Sequence, residues 1–134
     1  MLSAKMEKVV TDTNFLIYLA KYKLFDELVA LGYELLVPRA IEFELEKIAN
    51  NKEKKLKDRE AALLARQIIK KWVELKKAKY VDINNEKAID DAILEFAKKR
   101  KAMVATMDVA LRKALKKEGI KILILRQKKY FVVE

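Results

Sequence analysis

Short apolar runs alternate with longer helical patterns along the chain, and this alternation limits the fold more than any other feature of the sequence. The apolar runs have the lengths of buried strands and lie at residues 8–11, 34–37, 80–83, 102–106 and 120–125. The helical patterns lie at residues 14–20, 25–31, 58–78, 84–99 and 109–118, with a further one after Pro38. Strands separated by helices pair in parallel, so we expect an α/β fold: a three-layer α/β/α sandwich with a central, mainly parallel sheet of about five strands.

One domain accounts for residues 1–134, because this length supports one core and is short for two. No internal repeat or low-complexity tract divides the sequence. The closing segment, residues 128–134, alternates weakly between apolar and polar side chains. The pattern leaves two interpretations open for it: an edge strand that finishes the sheet, or a strand that pairs across a homodimer.

The chain contains no histidine and no cysteine. These absences exclude a Cys–His nucleophile, an imidazole acid–base pair, an ordinary zinc site and a disulfide framework. No apolar run approaches the roughly 20 residues of a membrane-spanning helix, and residues 1–8 lack the apolar stretch of a secretory signal. We therefore expect a cytoplasmic protein without membrane contact. The abundance of Lys and Glu favours a thermophilic source.

A formal net charge of +10 indicates a polyanionic partner. Solvated helix faces explain any single basic cluster, but they do not explain the excess of positive over negative charge. Nucleic acid is the favoured partner class, and RNA is the form that the rest of the sequence supports. The candidate RNA-binding residues are Arg39, Arg112, Lys113 and Arg126.

Two acidic residues follow predicted strands. Asp12 comes directly after the first strand, and Asp108 comes after the strand at residues 102–106 and opens the next helix. In α/β sheets the working crevice lies beyond the carboxyl ends of the strands, where both residues are expected. Either residue alone would be interpreted as a helix N-cap, because Asp is favoured at that position.

Two further acids are placed by helical phase. Glu44 lies three residues after Ile41 and four before Ile48, so it shares the apolar face of its helix. Asp90 lies three residues before Ile93 and is expected on the inward face, whereas Asp91 falls on a more exposed one. A carboxylate on an apolar face needs a partner, because an isolated buried charge is costly.

Acids gathered at one crevice raise one another's pKa unless a cation neutralises them. Mg²⁺ or Mn²⁺ suits an all-oxygen set of ligands. Such ions activate water and stabilise a leaving oxygen without histidine or a 2′-hydroxyl nucleophile. The expected chemistry is hydrolysis of a phosphodiester to a 5′-phosphate and a 3′-hydroxyl.

Four segments resemble the motifs of PIN-domain ribonucleases, in the same order. Val9-Val10-Thr11-Asp12-Thr13-Asn14 resembles the opening strand with its D-[TS]-N turn, and Val37-Pro38-Arg39-Ala40-Ile41-Glu42-Phe43-Glu44-Leu45 resembles the V-P-x-x-V-x-x-E-L segment. Asp90-Asp91-Ala92-Ile93-Leu94 resembles the D-x-x-I helix start, and Val104-Ala105-Thr106-Met107-Asp108 resembles V-A-T-N-D. Each motif is weak alone, but the order and spacing make the resemblance specific across nearly the whole chain.

The resemblance implies a PIN-like fold and a metal-dependent endoribonuclease. It implies metal ligation and catalysis by Asp12, Glu44, Asp90 and Asp108, with Asp91 as the alternative to Asp90. Supporting roles fall to Thr13, Asn14 and Thr106, and the last two are expected to orient the carboxylates through hydrogen bonds. Met107 stands where the family usually has Asn, which predicts a looser turn.

The resemblance does not separate two branches of the family. Val37-Pro38-Arg39 and Leu125-Arg126 look more like the rRNA-processing branch and its archaeal relatives, with a ribosome-assembly partner. Toxin-type PIN ribonucleases, whose partner is an antitoxin, have similar length and the same acids. A non-catalytic module that binds RNA or protein is a further alternative. A phospho-acceptor domain fits poorly, because Asp12 lacks an acidic neighbour.

Overall fold

Strands and helices alternate in the computed structural model, which describes residues 7–134. The strands are β1 (Glu7–Thr11), β2 (Tyr33–Pro38), β3 (Ala78–Val81), β4 (Met103–Ala105), β5 (Ile122–Arg126) and β6 (Tyr130–Val133). The helices are α1 (Thr13–Lys21), α2 (Phe25–Ala30), α3 (Arg39–Asn50), α4 (Leu56–Glu74), α5 (Ile89–Arg100) and α6 (Val109–Lys117). The alternation expected from the sequence is therefore present.

The six strands form one sheet in the order β3-β2-β1-β4-β5-β6. Every pairing is parallel except that of β6, which runs antiparallel to β5 and closes the edge. The α/β prediction is confirmed, with six strands where about five were expected. The chain moves outward from β1 to β3 and then returns to the other side of β1. The strand order thus reverses between β1 and β4, and a crevice beyond their carboxyl ends is the usual ligand position.

The helices follow the crossovers of the sheet. Helices α1 and α3 both pack against α4, while α5 contacts α6. Right-handed crossovers place these two groups on opposite faces of the sheet. The strands between them are apolar and buried, as Val9, Val10 and Val104 are without solvent exposure. None of the helices within residues 7–134 combines the length and apolarity needed to cross a membrane.

Two helix boundaries differ by several residues from the sequence predictions. Helix α4 ends at Glu74 rather than at residue 78, because Lys76 takes a left-handed φ of 61° and Ala78 pairs with β2. Helix α5 begins at Ile89 rather than after a cap at Asn84 or Asn85. The Asn84 side chain instead accepts a hydrogen bond from the Glu86 amide in a local turn (2.9 Å). Such side-chain turns compete with helix formation at Asn.

Candidate active site

Asp12 directly follows β1 and caps α1. Its Oδ1 accepts a hydrogen bond from the Phe15 amide (2.9 Å), and its own amide donates to the Ala105 carbonyl of the neighbouring strand (3.3 Å). The residue is only 9% exposed. The carboxylate therefore lies at the switch point of the sheet, fixed between β1 and the end of β4.

Thr106 connects the ends of these two strands. It follows β4, is completely buried, and its Oγ1 donates a hydrogen bond to Asp12 Oδ2. The same oxygen accepts from the Asp108 amide (3.1 Å). Asp108 in turn caps α6, because its Oδ1 accepts from the Leu111 amide (2.7 Å). One hydroxyl thus couples the orientation of Asp12 to the turn that carries Asp108.

Glu44 lies on α3 and is half-buried, as its helical phase predicted. Its partner is Thr13, whose Oγ1 donates to Glu44 Oε2 (2.7 Å). Thr13 is the first residue of α1, so this contact ties the second predicted acid to the turn that follows Asp12. Both hydroxyls of the site donate to a carboxylate, as a site that orients acids requires.

Asp90 and Asp91 lie in the first turn of α5. Both are exposed, so Asp90 is not buried as its helical phase predicted, although partial burial still acts on its carboxylate. The reason is the late start of the helix: Ile89 is its first residue, and side chains become buried only from Ala92 onward.

The acids affect one another. Burial raises the pKa of Asp12 above its ordinary value of 3.8, against the hydrogen bonds of Thr106 and the Phe15 amide, and the charges of Asp90 and Asp108 raise it further. The pKa of Asp90 is also raised, first by lost solvation and then by the charges of Asp108, Asp91 and Glu44. Asp12 and Asp90 are therefore each close enough to other acids of the set for the charges to act on their pKa values.

The donor set fits a hard divalent cation. It consists of carboxylate oxygens supported by threonine hydroxyls, and its repelling charges need neutralisation. Within residues 7–134, no three acidic side chains already stand at the spacing of cation ligands. Asp12 is held at both oxygens and Asp108 at one, whereas Asp90 and Asp91 make no side-chain hydrogen bond within residues 7–134.

Comparison with known proteins gives the family of the chain. A sequence profile described as a PIN-like domain matches residues 9–128. A protein named ribonuclease VapC4 from Methanocaldococcus jannaschii is 35% identical over 134 residues, which cover 96% of this chain and 97% of that protein. The chain belongs to the PIN-like domain family.

A solved structure agrees with the PIN-like fold. It is a domain of a functionally unknown protein from Methanocaldococcus jannaschii DSM 2661, with a TM-score of 0.68 and 21% sequence identity. The match covers 94% of this chain and 96% of that one. At this identity the likeness concerns the fold alone.

Two residues of the PIN-like motifs behave unlike the expectation. Asn14 is exposed and makes no side-chain hydrogen bond to a carboxylate within residues 7–134, so Thr13 takes the orienting role beside Thr106. Met107, expected to loosen its turn, is half-buried, and its sulfur accepts a hydrogen bond from the Leu125 amide (3.4 Å). The Asp108 turn is thereby attached to β5.

The four candidate RNA-binding residues differ in the contacts that their side chains make. Arg39 opens α3 at the carboxyl end of β2. Its Nε lies 3.4 Å from Asp82 Oδ1, and its Cζ lies 5.4 Å from the centre of the Tyr80 ring. Lys113 is exposed on α6. Arg112 and Arg126 both contact the carboxylate of Glu134. Sequence reasoning missed Glu134 and its third partner Lys116, because their contacts depend on the β5–β6 pairing.

A cavity of about 580 Å³ lies at the opposite end of the sheet, beside the start of β1 and the ends of α5 and α6. Its charged side chains include Lys8, Lys98 and Lys121. None of the predicted site residues lines it. This cavity is therefore separate from the acidic side chains, which define the candidate active site.

Proposed function

We propose that the chain is a metal-dependent endoribonuclease whose site consists of Asp12, Glu44, Asp90 and Asp108, with Asp91 as an alternative ligand. The observation that carries the proposal is the buried Asp12 carboxylate at the strand switch point, which Thr106 holds in place and whose pKa is raised by burial first and then by the charges of two other aspartates. A fold without function gains nothing from this arrangement, because it buries one carboxylate within reach of other negative charges. A catalytic cation accounts for it.

Each residue has a separate part in this proposal. Thr106 and Thr13 fix the directions in which Asp12 and Glu44 present their oxygens. Asp90 and Asp108 complete the oxygen donors from the first turn of α5 and the start of α6. A bound Mg²⁺ or Mn²⁺ supplies the positive charge that acidifies a water molecule and stabilises the leaving oxygen.

Basic residues near the same edge supply the RNA contacts. Arg39 and Arg126 end or follow strands at the carboxyl edge of the sheet, the edge that carries the acids. Guanidinium groups bind phosphate oxygens in pairs, which positions the backbone without reading its sequence. The net charge of +10 adds a salt-dependent attraction.

For the biological role, the name of the 35% identical relative favours the toxin branch over the rRNA-processing branch. VapC denotes toxin-type PIN ribonucleases, and the corresponding partner is an antitoxin protein. Growth arrest of cells that express the chain, relieved when an antitoxin partner is co-expressed, would support the toxin role. Cleavage confined to precursor rRNA, without growth arrest, would support the rRNA-processing role.

The catalytic proposal is tested on a 5′-labelled structured RNA with Mg²⁺, with Mn²⁺ and with chelator. Asp12→Asn and Asp108→Asn are compared with Asp26→Asn, a matched change at an exposed residue of α2. We expect metal-dependent cleavage that leaves 3′-hydroxyl ends, is lost in the first two variants and is retained in the third. Cleavage that persists in Asp12→Asn or in chelator contradicts the proposal.

A further inference from the structure

One carboxylate outside the acidic site is surrounded by cations. Glu134 Oε1 lies 3.1 Å from Arg112 Nη2 and 3.3 Å from Lys116 Nζ, and Oε2 lies 2.9 Å from Arg126 Nη2. We call Arg112, Lys116 and Arg126 the cation cluster. Three positive groups face one negative group, so the cluster retains a positive excess.

The cation cluster is built from two elements that also serve the acidic site. Arg112 and Lys116 are four residues apart on α6 and share a face of the helix. Arg112 lies one helical turn, about 5.4 Å of rise, beyond the cap residue Asp108. Arg126 ends β5 at the carboxyl edge of the sheet. The cluster therefore adjoins the turn that carries one of the proposed catalytic acids.

The geometry is that of an anion site. Two guanidinium groups donate to different oxygens of one acceptor, the arrangement in which arginines hold carboxylates and phosphates. Arg112 has a donor to spare, because its Nε is buried and finds no hydrogen-bond partner within residues 7–134. A tetrahedral phosphate offers more acceptor oxygens than the planar carboxylate that occupies the cluster.

A purely structural role for Glu134 is the competing explanation, in which the ion pairs fasten β6 to the sheet. The backbone already does this. The Glu134 amide donates to the Ile122 carbonyl (2.8 Å) and the Ile122 amide donates to the Glu134 carbonyl (3.0 Å), beyond four paired positions of β5 and β6. Partly exposed ion pairs add little stability, so three cations exceed what attachment of the strand requires.

We propose that the cation cluster is a binding site for a backbone phosphate of RNA, and that the Glu134 side chain occupies it in competition with the RNA. The inference rests on the proposed function, since it assumes that RNA is the ligand. RNA binding displaces the Glu134 carboxylate from Arg112, Lys116 and Arg126 and pairs them with phosphate. Competition from Glu134 thereby lowers the affinity of the cluster for polyanions, so that only those with other contacts to the protein bind.

The test measures binding of a fluorescent structured RNA in chelator, so that cleavage does not interfere. Glu134→Gln is compared with Glu118→Gln, which removes the same charge from an exposed pair with Lys98 (3.0 Å) at the far end of α6. We expect Glu134→Gln to bind RNA roughly 3- to 10-fold tighter at low salt, the gain from releasing several partly exposed ion pairs. Glu118→Gln is expected to change affinity much less.

A second pair of variants assigns the gain to the cluster. Arg126→Gln is introduced alone and together with Glu134→Gln. If phosphate replaces the carboxylate, the double variant loses most of the gain, and the slope of log affinity against log salt for Glu134→Gln is steeper than wild type by about one. Circular dichroism checks that each variant is folded. Should Glu134→Gln fail to fold, the Arg112 Nε–H signal of the wild-type protein, followed by NMR during RNA titration, takes its place.

The outcomes separate the inference from the proposed function. Three results overturn the inference and leave the ribonuclease proposal intact. They are equal RNA affinity of wild type and Glu134→Gln, an equal gain in affinity in Glu134→Gln and Glu118→Gln, and an Arg112 Nε–H signal that does not shift when RNA is added. Absence of RNA binding in every variant overturns both proposals. Metal-dependent cleavage without any effect of Glu134→Gln on binding overturns only the inference.

Discussion

Replacing Thr106 by Val tests the link between the two halves of the acidic site. The change keeps the branched shape of the side chain and removes only the hydroxyl. That hydroxyl is fully buried, donates to Asp12 Oδ2 and accepts from the Asp108 amide. Both groups lose a partner at once, so the variant isolates the coupling between them.

The expected cost follows from the two groups left without a partner. A buried acceptor or donor that loses its hydrogen bond costs about 1–3 kcal/mol, and more when it is charged. For the Asp12 oxygen and the partly buried Asp108 amide together we expect a loss of about 2–4 kcal/mol. For a domain of this size that lowers Tm by roughly 5–15 °C. The loss of about 2–4 kcal/mol is a large share of the roughly 5–15 kcal/mol that stabilises a typical domain.

Urea denaturation followed by circular dichroism measures the loss as a lower midpoint at unchanged m-value. Thr11→Val is the matched control, because Thr11 is also fully buried and its hydroxyl donates to the Asp12 main-chain carbonyl (3.1 Å). That carbonyl also accepts from the Leu16 amide (3.4 Å), so the control is expected to cost no more than about 1 kcal/mol. Equal losses in the two variants would refute the role assigned to Thr106.

Three further predictions concern the acids. Because the folded pKa of Asp12 is raised above 3.8, the folded state holds more protons than the unfolded state between the two values, and Asp12 makes stability fall as pH rises through that window. Asp12→Asn is expected to flatten this fall in urea titrations from pH 3 to 7, and an unchanged profile contradicts the burial argument. Mg²⁺ at about 100 times its Kd should stabilise wild type by about 2.7 kcal/mol in thermal melts but leave Asp12→Asn unaffected. Asp90→Asn should reduce RNA cleavage at least about tenfold more than Asp91→Asn, and the reverse order makes Asp91 the ligand.

Much of the architecture was predictable because it depends on local pattern. The apolar runs at β1, β4 and β5 are too short for helices, and their alternation with helical patterns predicts parallel crossovers. The acids that follow β1 and β4 could be located for the same reason, since parallel strands present their carboxyl ends at one edge. The half-buried position of Glu44 also followed from helical phase.

The features that escaped prediction depend on tertiary context. Phase alone put Asp90 inward, but whether an inward position is covered depends on how far the helix overlaps the sheet, and α5 begins too late to cover its first turn. The bond from Thr13 to Glu44 joins residues 31 positions apart in the sequence, and no local signal indicates it. The contacts of Glu134 require the register of the last two strands, which a weak alternation does not define.

Helix capping does not explain the environment of Asp12. Asp108 caps α6 with one oxygen at 2.7 Å while remaining exposed, so an effective cap in this chain does not require burial. Asp12 caps α1 with Oδ1, yet it is only 9% exposed, and its second oxygen is held by a hydroxyl that a cap does not need. Burial beside other acids lowers stability at neutral pH, a cost that functional sites characteristically retain. The burial of Asp12 and the hydrogen bond to its second oxygen are not needed for capping, and they are the physical argument that Asp12 binds a ligand.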